Sequence, residues 1–445
     1  MGKQIYEKDW RYSFLRIFWV DWKIRHSYRK EEIRGMENIP TDGALLITPN
    51  HCNALMDALA VLSSSKETTV FGARADLFRK PFIAKLMHFV RILPMVRQRD
   101  GLRNVLQNNH TQEIIVDILE HDVRFCLFPE GTHRPKHSQL PLGKGASRIA
   151  LAANSKFGKE KPIYIVPAGL EYGDYFRYRS TCLINYGEAI NVTEFLEKNQ
   201  FESEPQAIEA LKKLIGEKIK ELYTYIPDNE DYDAKWALTK MVAIYKTRKG
   251  YGQFGTSLYD SMLKNREIAA GIEASMNDDP EQMRDLLARV TAFENKRNDK
   301  KISIYSFRKM NPLADATGKG LAALLGLPYF IYSALVSLPT WVLETIIRNK
   351  TKDRAFRNTV SFGVWLALGL VLLPVYAAIA FSLAPWWLAL TLLLLYLPAY
   401  MYIHDYIEGC RRWLSDIRLY INKGLYKEFK HIVKDFKNIS GTKNN

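Results

Sequence analysis

From Thr359 to Ile403 the chain runs for 45 residues without a charged side chain. A spanning helix needs about 20 apolar residues, so this block is long enough for two passes with a turn near Pro385-Trp-Trp. Inside a bilayer the backbone must satisfy its own hydrogen bonds, which restricts such a block to helices. Arg348-Asn-Lys-Thr-Lys-Asp-Arg-Ala-Phe-Arg357 precedes it, and Arg411, Arg412, Arg418, Lys423, Lys427 and Lys430 follow it. Two basic flanks belong on one side, the cytoplasmic side, and a two-span hairpin over 359–403 puts them there. Upstream, Leu321–Ile347 is apolar apart from Glu344 and is interrupted by Pro328 and Pro339. A third full span would carry one basic flank outside, so 321–347 is expected to be an interfacial or re-entrant segment broken at its prolines. A buried core helix in a soluble protein is the competing explanation, and 45 residues is too long for it.

The 445 residues carry a formal charge of +15 and a pI near 9.4. Such a balance calls for a polyanionic partner: nucleic acid, anionic headgroups or small phosphorylated substrates. The apolar spans leave the basic charge next to lipid, which argues against nucleic acid and for membrane lipids. Cys52, Cys126, Cys182 and Cys410 are scattered without metal spacing and are expected to be reduced thiols on the cytoplasmic side.

Residues 1–34 place Trp10, Phe14, Ile17, Phe18 and Trp22 at helical spacing among Arg and Lys, the pattern of an amphipathic helix at a membrane surface. Packing on its own domain is the plainer alternative. Short apolar runs then alternate with helical patterns. Strands are expected at Ala44–Thr48, Thr68–Gly72, Ile92–Val96, Arg124–Phe128 and Tyr164–Leu170, with helices after Asp57, over 102–121 and over 143–155. This is an α/β pattern with a largely parallel sheet, whose chemistry sits in loops at strand ends. Arg74–Arg103 holds eight Arg/Lys against Asp76 and Asp100, a basic surface suited to anionic headgroups and a phosphorylated acceptor. The expected organisation is 1–34 membrane-surface helix, 35–195 catalytic domain, 196–315 helical accessory region, 316–408 membrane segments and 409–445 basic cytoplasmic tail.

Two of the strand-end loops carry chemistry. Thr48-Pro-Asn-His-Cys-Asn-Ala-Leu-Met-Asp57 puts His51 and Asp57 on either side of a turn. An alcohol attacking an acyl thioester must lose its proton as it attacks, which suits a neutral histidine. A carboxylate on the other ring nitrogen fixes the tautomer and stabilises the imidazolium. Six positions apart on one helix the two would diverge, so the turn must bring them together. A His51 that merely caps the next helix is the bland alternative. Leu127-Phe-Pro-Glu-Gly-Thr-His-Arg134 is more specific. Gly131 allows close backbone approach, Thr132 offers a hydroxyl, Arg134 a fork for phosphate oxygens, and Glu130 an acceptor for a substrate hydroxyl. Arg97, Arg99 and Lys144 are further phosphate candidates, each also readable as a solvated charge. Cys52 beside His51 makes a poor nucleophile pair, because adjacent side chains diverge.

These residues resemble the glycerol-phosphate and lysophosphatidate acyltransferases. That family has Asn-His followed by Asp, as in Asn50-His51…Asp57, and Phe-Pro-Glu-Gly-Thr-x-Arg, as in Phe128–Arg134. Leu93-Pro-Met-Val-Arg97 and Ile165-Val-Pro167-Ala-Gly are similar to its other two blocks. The match covers roughly residues 35–190. The resemblance implies His51 as base, Asp57 as its orienter, and Arg97 with Glu130–Arg134 holding the glycerol phosphate. It implies acyl-CoA or acyl carrier protein as donor, with no metal or bound cofactor. Five residues (Cys52–Met56) separate His51 from Asp57 where the usual pattern has four, and fungal glycerol-3-phosphate acyltransferases are similar in this longer spacing. The expected function is transfer of a fatty acyl group to 1-acylglycerol-3-phosphate. Glycerol-3-phosphate or another lyso- or amino-acid lipid is the alternative acceptor, and a non-catalytic lipid-binding or tethering protein the alternative of another class.

Overall fold

The computed structural model describes residues 5–95, 105–246, 257–308 and 312–441. The chain forms two compact units. One comprises Met1–Arg25, Glu31–Tyr175 and Cys182–Tyr223; the other comprises His26–Lys30, Phe176–Thr181 and Thr224–Asn445.

The first unit is built on an eight-stranded sheet: β1 Lys30–Arg34, β2 Ala44–Pro49, β3 Thr69–Arg74, β4 Ile92–Met95, β5 Arg124–Cys126, β6 Ile163–Tyr172, β7 Thr181–Tyr186 and β8 Ile190–Asn191. The order is β1-β7-β6-β2-β5-β3-β4, with β8 also on β6. β6, β2, β5, β3 and β4 run parallel, and β7 and β8 pair antiparallel with β6. Every residue of β2 is buried, as a central strand covered on both faces requires. The chain leaving β2 turns through the Leu55–Ser63 helix towards β3, on one side. The chain leaving β5 turns through the Gly145–Phe157 helix to β6, on the other. The carboxyl ends of the neighbours β2 and β5 therefore form a topological switch point, where open α/β sheets leave a crevice.

Two boundaries differ from expectation. Lys30–Arg34 is a strand and not the end of the N-terminal helix. Its charged, half-buried residues suit the sheet edge it occupies. The unit also continues past 195 to Tyr223, because the Glu204–Lys220 helix buries Ile208, Leu211, Ile215 and Ile219 in it. In the N-terminal segment the Trp10–Leu15 helix, a π-helical turn Arg16–Val20 and the Asp21–Ser27 helix follow one another. Trp10, Phe14, Ile17 and Phe18 point into solvent. Arg16 and Lys23 point inward, Arg16 donating to the carbonyls of Leu62 (3.0 Å) and Glu67 (2.9 Å).

Burial pushes the Lys23 ammonium down to about 7, beside the rings of Trp19 and Trp22. The folded value lies below the unfolded one, so between about pH 7 and 10 the unfolded chain binds the extra proton and stability rises with pH. Lys23→Met is expected to raise the thermal midpoint of the detergent-solubilised protein at pH 7 by several degrees, as an order of magnitude. The gain should shrink towards pH 10, which melts at both pH values check.

In the second unit Tyr232–Lys246, Leu258–Asp278, Pro280–Asp299 and Lys423–Ile439 share one core, with Leu238, Met241, Ile272, Met283, Phe293, Phe429 and Val433 inside. The segment expected to be a basic tail thus forms, in its Lys423–Ile439 helix, one wall of the accessory bundle. Among the described residues, three helices are long and apolar enough to cross a membrane: Ala316–Val336, Arg354–Leu383 and Trp386–Ile421. The second and third of these helices are separated at Ala384–Pro385. Upstream, Pro328 does not break its helix, which runs unbroken over Pro312–Val336. The reversal comes at Ser337, before the short Leu338–Lys350 helix.

The Pro312–Val336 helix lies antiparallel along Trp386–Ile421. Tyr406 donates to Ala323 O (2.9 Å), Tyr402 to Gly326 O (3.1 Å), Tyr329 to Leu395 O (2.8 Å) and Tyr332 to Leu392 O (2.7 Å). Leu325, Leu335, Leu370 and Leu383 face outward. Glu344 is fully buried and accepts from Arg348 (2.8 Å), Ser361 (2.6 Å) and Tyr400 (2.7 Å). Apolar outside and polar inside is the arrangement of helices solvated by lipid.

Candidate active site

β2 and β5 pair with Ile47 opposite Cys126. Carrying the register four residues on puts His51 opposite Glu130, one on each lip of the switch-point crevice. Each strand leads into a segment that holds a proline, Pro49-Asn50-His51 at the end of β2 and Phe128-Pro129-Glu130 after β5. Asn50 anchors the first segment on the far side. Its side chain accepts from Leu170 N (2.6 Å) and donates to Leu170 O (3.1 Å) on β6.

His51 Nδ1 lies 2.8 Å from Asp57 Oδ2. Asp57 stands in the first turn of the Leu55–Ser63 helix and is fully buried. A buried carboxylate is costly unless donors surround it. Here Oδ2 also accepts from Cys52 N (2.8 Å) and Asn53 N (2.7 Å), and Oδ1 from the Tyr172 hydroxyl (2.8 Å). With Nδ1 committed to Asp57, the proton sits there and Nε2 is the basic nitrogen. The His51 side chain keeps 17% of its surface, which leaves the ring reachable from solvent. Phe128 stacks on the ring at 4.3 Å and His133 meets it edge-on at 5.5 Å. His51 therefore does not act as a helix cap: the helix begins at Leu55, after Ala54.

Ala54 has φ 49° and ψ −130°. This is a conformation that glycine adopts freely and other residues adopt at a cost of about 1–3 kcal/mol. It lies within the five-residue spacer between His51 and Asp57, and the strain keeps the spacer compact enough for the pair to meet. Ala54→Gly is expected to stabilise the protein by about 0.5–1 kcal/mol with activity unchanged. Ala54→Val should destabilise it and weaken catalysis, and thermal melts with kcat on the same preparations check both.

Glu130 is placed differently from expectation. Its Oε1 accepts from His51 N (2.9 Å) and its Oε2 from Leu140 N (3.0 Å). The carboxylate ties the two lips and the following loop together rather than reaching out to a substrate hydroxyl. Burial pushes its carboxyl above the ordinary value, against the pull of those two amides and of His51. Arg134 N donates to His51 O (3.0 Å), and its guanidinium donates to Ser138 Oγ (2.7 Å). The backbone of Arg134 is thereby tied to His51 and its fork to Ser138. Gly131 has φ 64° and is exposed, with open space where a Cβ would be. Thr132 is half-buried on the same turn. Gly131→Ala is expected to cost about 1 kcal/mol through φ alone, with a larger relative rise in acceptor KM if a phosphate approaches this backbone; melts and KM separate the two.

Lys144 stands just before the Gly145–Phe157 helix and is ion-paired with Glu209 at 2.5 Å. Arg97 and Arg99 lie outside the described residues. Cys52 is buried, and that burial pushes its thiol well above its ordinary value, the setting of a packing residue. No sequence pattern singles out Tyr172, His133 or Ser138, whose contacts appear only in the fold. Tyr172 is 115 residues from Asp57 and meets it only because β6 lies beside β2.

Residues 30–171 match the family model described as Acyltransferase. The chain is 26% identical over 166 residues to glycerol-3-phosphate O-acyltransferase 1 of Saccharomyces cerevisiae, covering 37% of this chain and 21% of the yeast protein. It is 26% identical over 141 residues to 1-acyl-sn-glycerol-3-phosphate acyltransferase alpha of Mus musculus, covering 32% of this chain and 47% of the mouse protein. The matched regions thus span less than half the length of these relatives. Among solved structures, the 1-acyl-sn-glycerophosphate (LPA) acyltransferase PlsC from Thermotoga maritima aligns with a TM-score of 0.33 and 20% identity, over 45% of this chain and 76% of that one. The match to the Acyltransferase model falls on the strands and turns that carry His51, Asp57 and Glu130, which is the extent of that likeness.

Proposed function

We propose that the chain is a membrane-bound O-acyltransferase that moves a fatty acyl group from acyl-CoA or acyl carrier protein to 1-acylglycerol-3-phosphate, its catalytic domain on the cytoplasmic face. The observation that carries this reading is the 2.8 Å contact between His51 Nδ1 and a buried, fully hydrogen-bonded Asp57. His51 Nε2 takes the proton of the acceptor hydroxyl as its oxygen attacks the thioester carbonyl. The C–S bond then breaks, the new ester forms, and the proton passes from the imidazolium to the departing thiolate. Asp57 stabilises the imidazolium between those steps. Arg134, with Thr132 and the backbone at Gly131, holds the acceptor's phosphate, so that the hydroxyl is delivered to the base by a group that does not react. Arg97 and Lys144 remain candidates for the same phosphate, Lys144 only if Glu209 gives it up.

Glycerol-3-phosphate is the second acceptor to consider, favoured by the names of the yeast relatives. Purified full-length protein, given labelled acyl-CoA with 1-acylglycerol-3-phosphate and glycerol-3-phosphate side by side, decides between them. Transfer to neither, by protein that still binds vesicles, would favour a lipid-binding or tethering role.

A further inference from the structure

The connection between β3 and β4 is unusual for a crossover between neighbouring parallel strands. Such helices ordinarily bury their apolar side on the sheet. Here a short turn, Ala75–Phe78, leads into the helix Pro81–Phe89, whose sequence is Pro-Phe-Ile-Ala-Lys-Leu-Met-His-Phe. Seven of those nine residues are apolar, yet none is buried. Phe82 is 75% exposed and Leu86, one turn on, 44%; Leu77 is exposed as well. Arg79, Lys80 and Lys85 are exposed around them, and the acidic residue of this connection, Asp76, is paired with Arg74 at 2.7 Å.

This helix adjoins the N-terminal segment. Tyr12 meets Phe89 edge-on at 6.2 Å. Arg91, just beyond the helix, donates to Glu7 O at 2.7 Å and to Ile5 O. The exposed Trp10, Phe14 and Phe18 extend the same kind of surface. The segment also leaves the sheet at a telling place. β3 runs parallel to β5 and β2, so its carboxyl end lies at the edge that carries His51 and Glu130. It is two strands from β2, about 10 Å at ~4.8 Å per strand.

We propose that Pro81–Phe89 is a lipid-inserting lip of the active site. Its Phe82–Leu86 side enters the interface of a bilayer with anionic headgroups, the three cations meet those headgroups, and the acceptor's acyl chain reaches the site from the bilayer along this helix. The insertion stands on the exposed helix alone; the delivery role rests on the acyltransferase reading above. A bilayer is the occupant that fits, because an apolar side ringed by Lys and Arg matches the layered chemistry of an anionic interface.

The test uses the full chain in phosphatidylglycerol/phosphatidylcholine vesicles. Cys52, Cys126 and Cys182 are buried, so a Phe82→Cys variant in a Cys410→Ser background takes an environment-sensitive fluorophore at one place. Nitroxides on the upper acyl chain are expected to quench that label at least about twofold, and to leave a label at the exposed Lys213→Cys unquenched. Equal accessibility of both labels to aqueous iodide, without lipid quenching, overturns the insertion. In the Phe82→Asp/Leu86→Asp variant, kcat/KM for a long-chain acceptor in vesicles should fall about tenfold or more. A water-soluble six-carbon analogue should be turned over within about twofold of the parent. Equal loss on both acceptors overturns the delivery role. Quenching does not depend on turnover, so a protein that inserts this helix but transfers no acyl group would sink the enzymatic reading and leave the insertion standing.

Discussion

Asp57→Asn is expected to lower kcat by about 10³–10⁴-fold, the scale seen when the carboxylate of a histidine–carboxylate pair becomes an amide. The loss has two sources. One asparagine rotamer presents N–H where Oδ2 now accepts from His51, Cys52 N and Asn53 N, setting donor against donor; the other turns N–H₂ onto the Tyr172 hydroxyl, which can accept it, and leaves a neutral carbonyl in place of the carboxylate. Either rotamer also lacks the negative charge that stabilises the imidazolium. The histidine is free to adopt the other tautomer, with its proton on the nitrogen that should accept one. His51→Ala removes the base itself and should cost at least about 10³-fold, with little loss of stability, because the ring is partly exposed and its main contacts are Asp57 and Phe128. The two variants therefore differ in their melts more than in their rates. Asp57→Asn is expected to unfold at a lower temperature, since the buried amides lose a charged acceptor, and His51→Ala near the parent. The check is single-turnover acyl transfer with thermal unfolding on the same samples. Transfer within tenfold of the parent for His51→Ala would remove the general base from the mechanism.

Glu130→Gln is the second large effect, and it separates two roles for that residue. A carboxylate that accepted from the substrate would, once changed, raise the acceptor KM. The structure makes Glu130 a clamp between His51 N and Leu140 N. Glutamine can accept one of those amides through its carbonyl but opposes the other with its own N–H₂. The lip carrying His51 then shifts relative to the 128–134 turn, and misplacement of reacting groups by about an ångström costs on the order of 10²-fold. The expected result is a kcat lower by about 10–100-fold, an acceptor KM within about threefold, and a lower melting temperature. A KM effect with unchanged kcat and melting would restore the substrate contact.

The sequence made the sheet's inner strands legible because burial on both faces leaves a continuous apolar run. Ala44–Pro49 and Ile163–Tyr172 are of that kind. It hid β1 because an edge strand has no such requirement: Lys-Glu-Glu-Ile-Arg looks like any charged segment following a helix. Pro328 misled for a related reason. Proline breaks helices in water, but within packed apolar helices neighbouring groups take over the freed carbonyls. The His51–Asp57 pair was visible as residue types around a turn, since proline and asparagine mark turns locally. Tyr172 was not visible, because only the adjacency of β6 and β2 joins it to Asp57. Glu130 showed its chemistry but not its direction: a carboxylate beside a glycine turn reads equally as a ligand for substrate or for backbone amides.

One wall of the accessory bundle is the helix Lys423–Ile439, whose Phe429 and Val433 pack among residues from 232–307. Everything between those partners, including the apolar helices, must be translated before that core can close. During synthesis the first three helices of the bundle therefore wait with an open apolar face while the hairpin is being delivered to the lipid. Until the Lys423–Ile439 helix emerges, that apolar face is the part of the unit most open to aggregation.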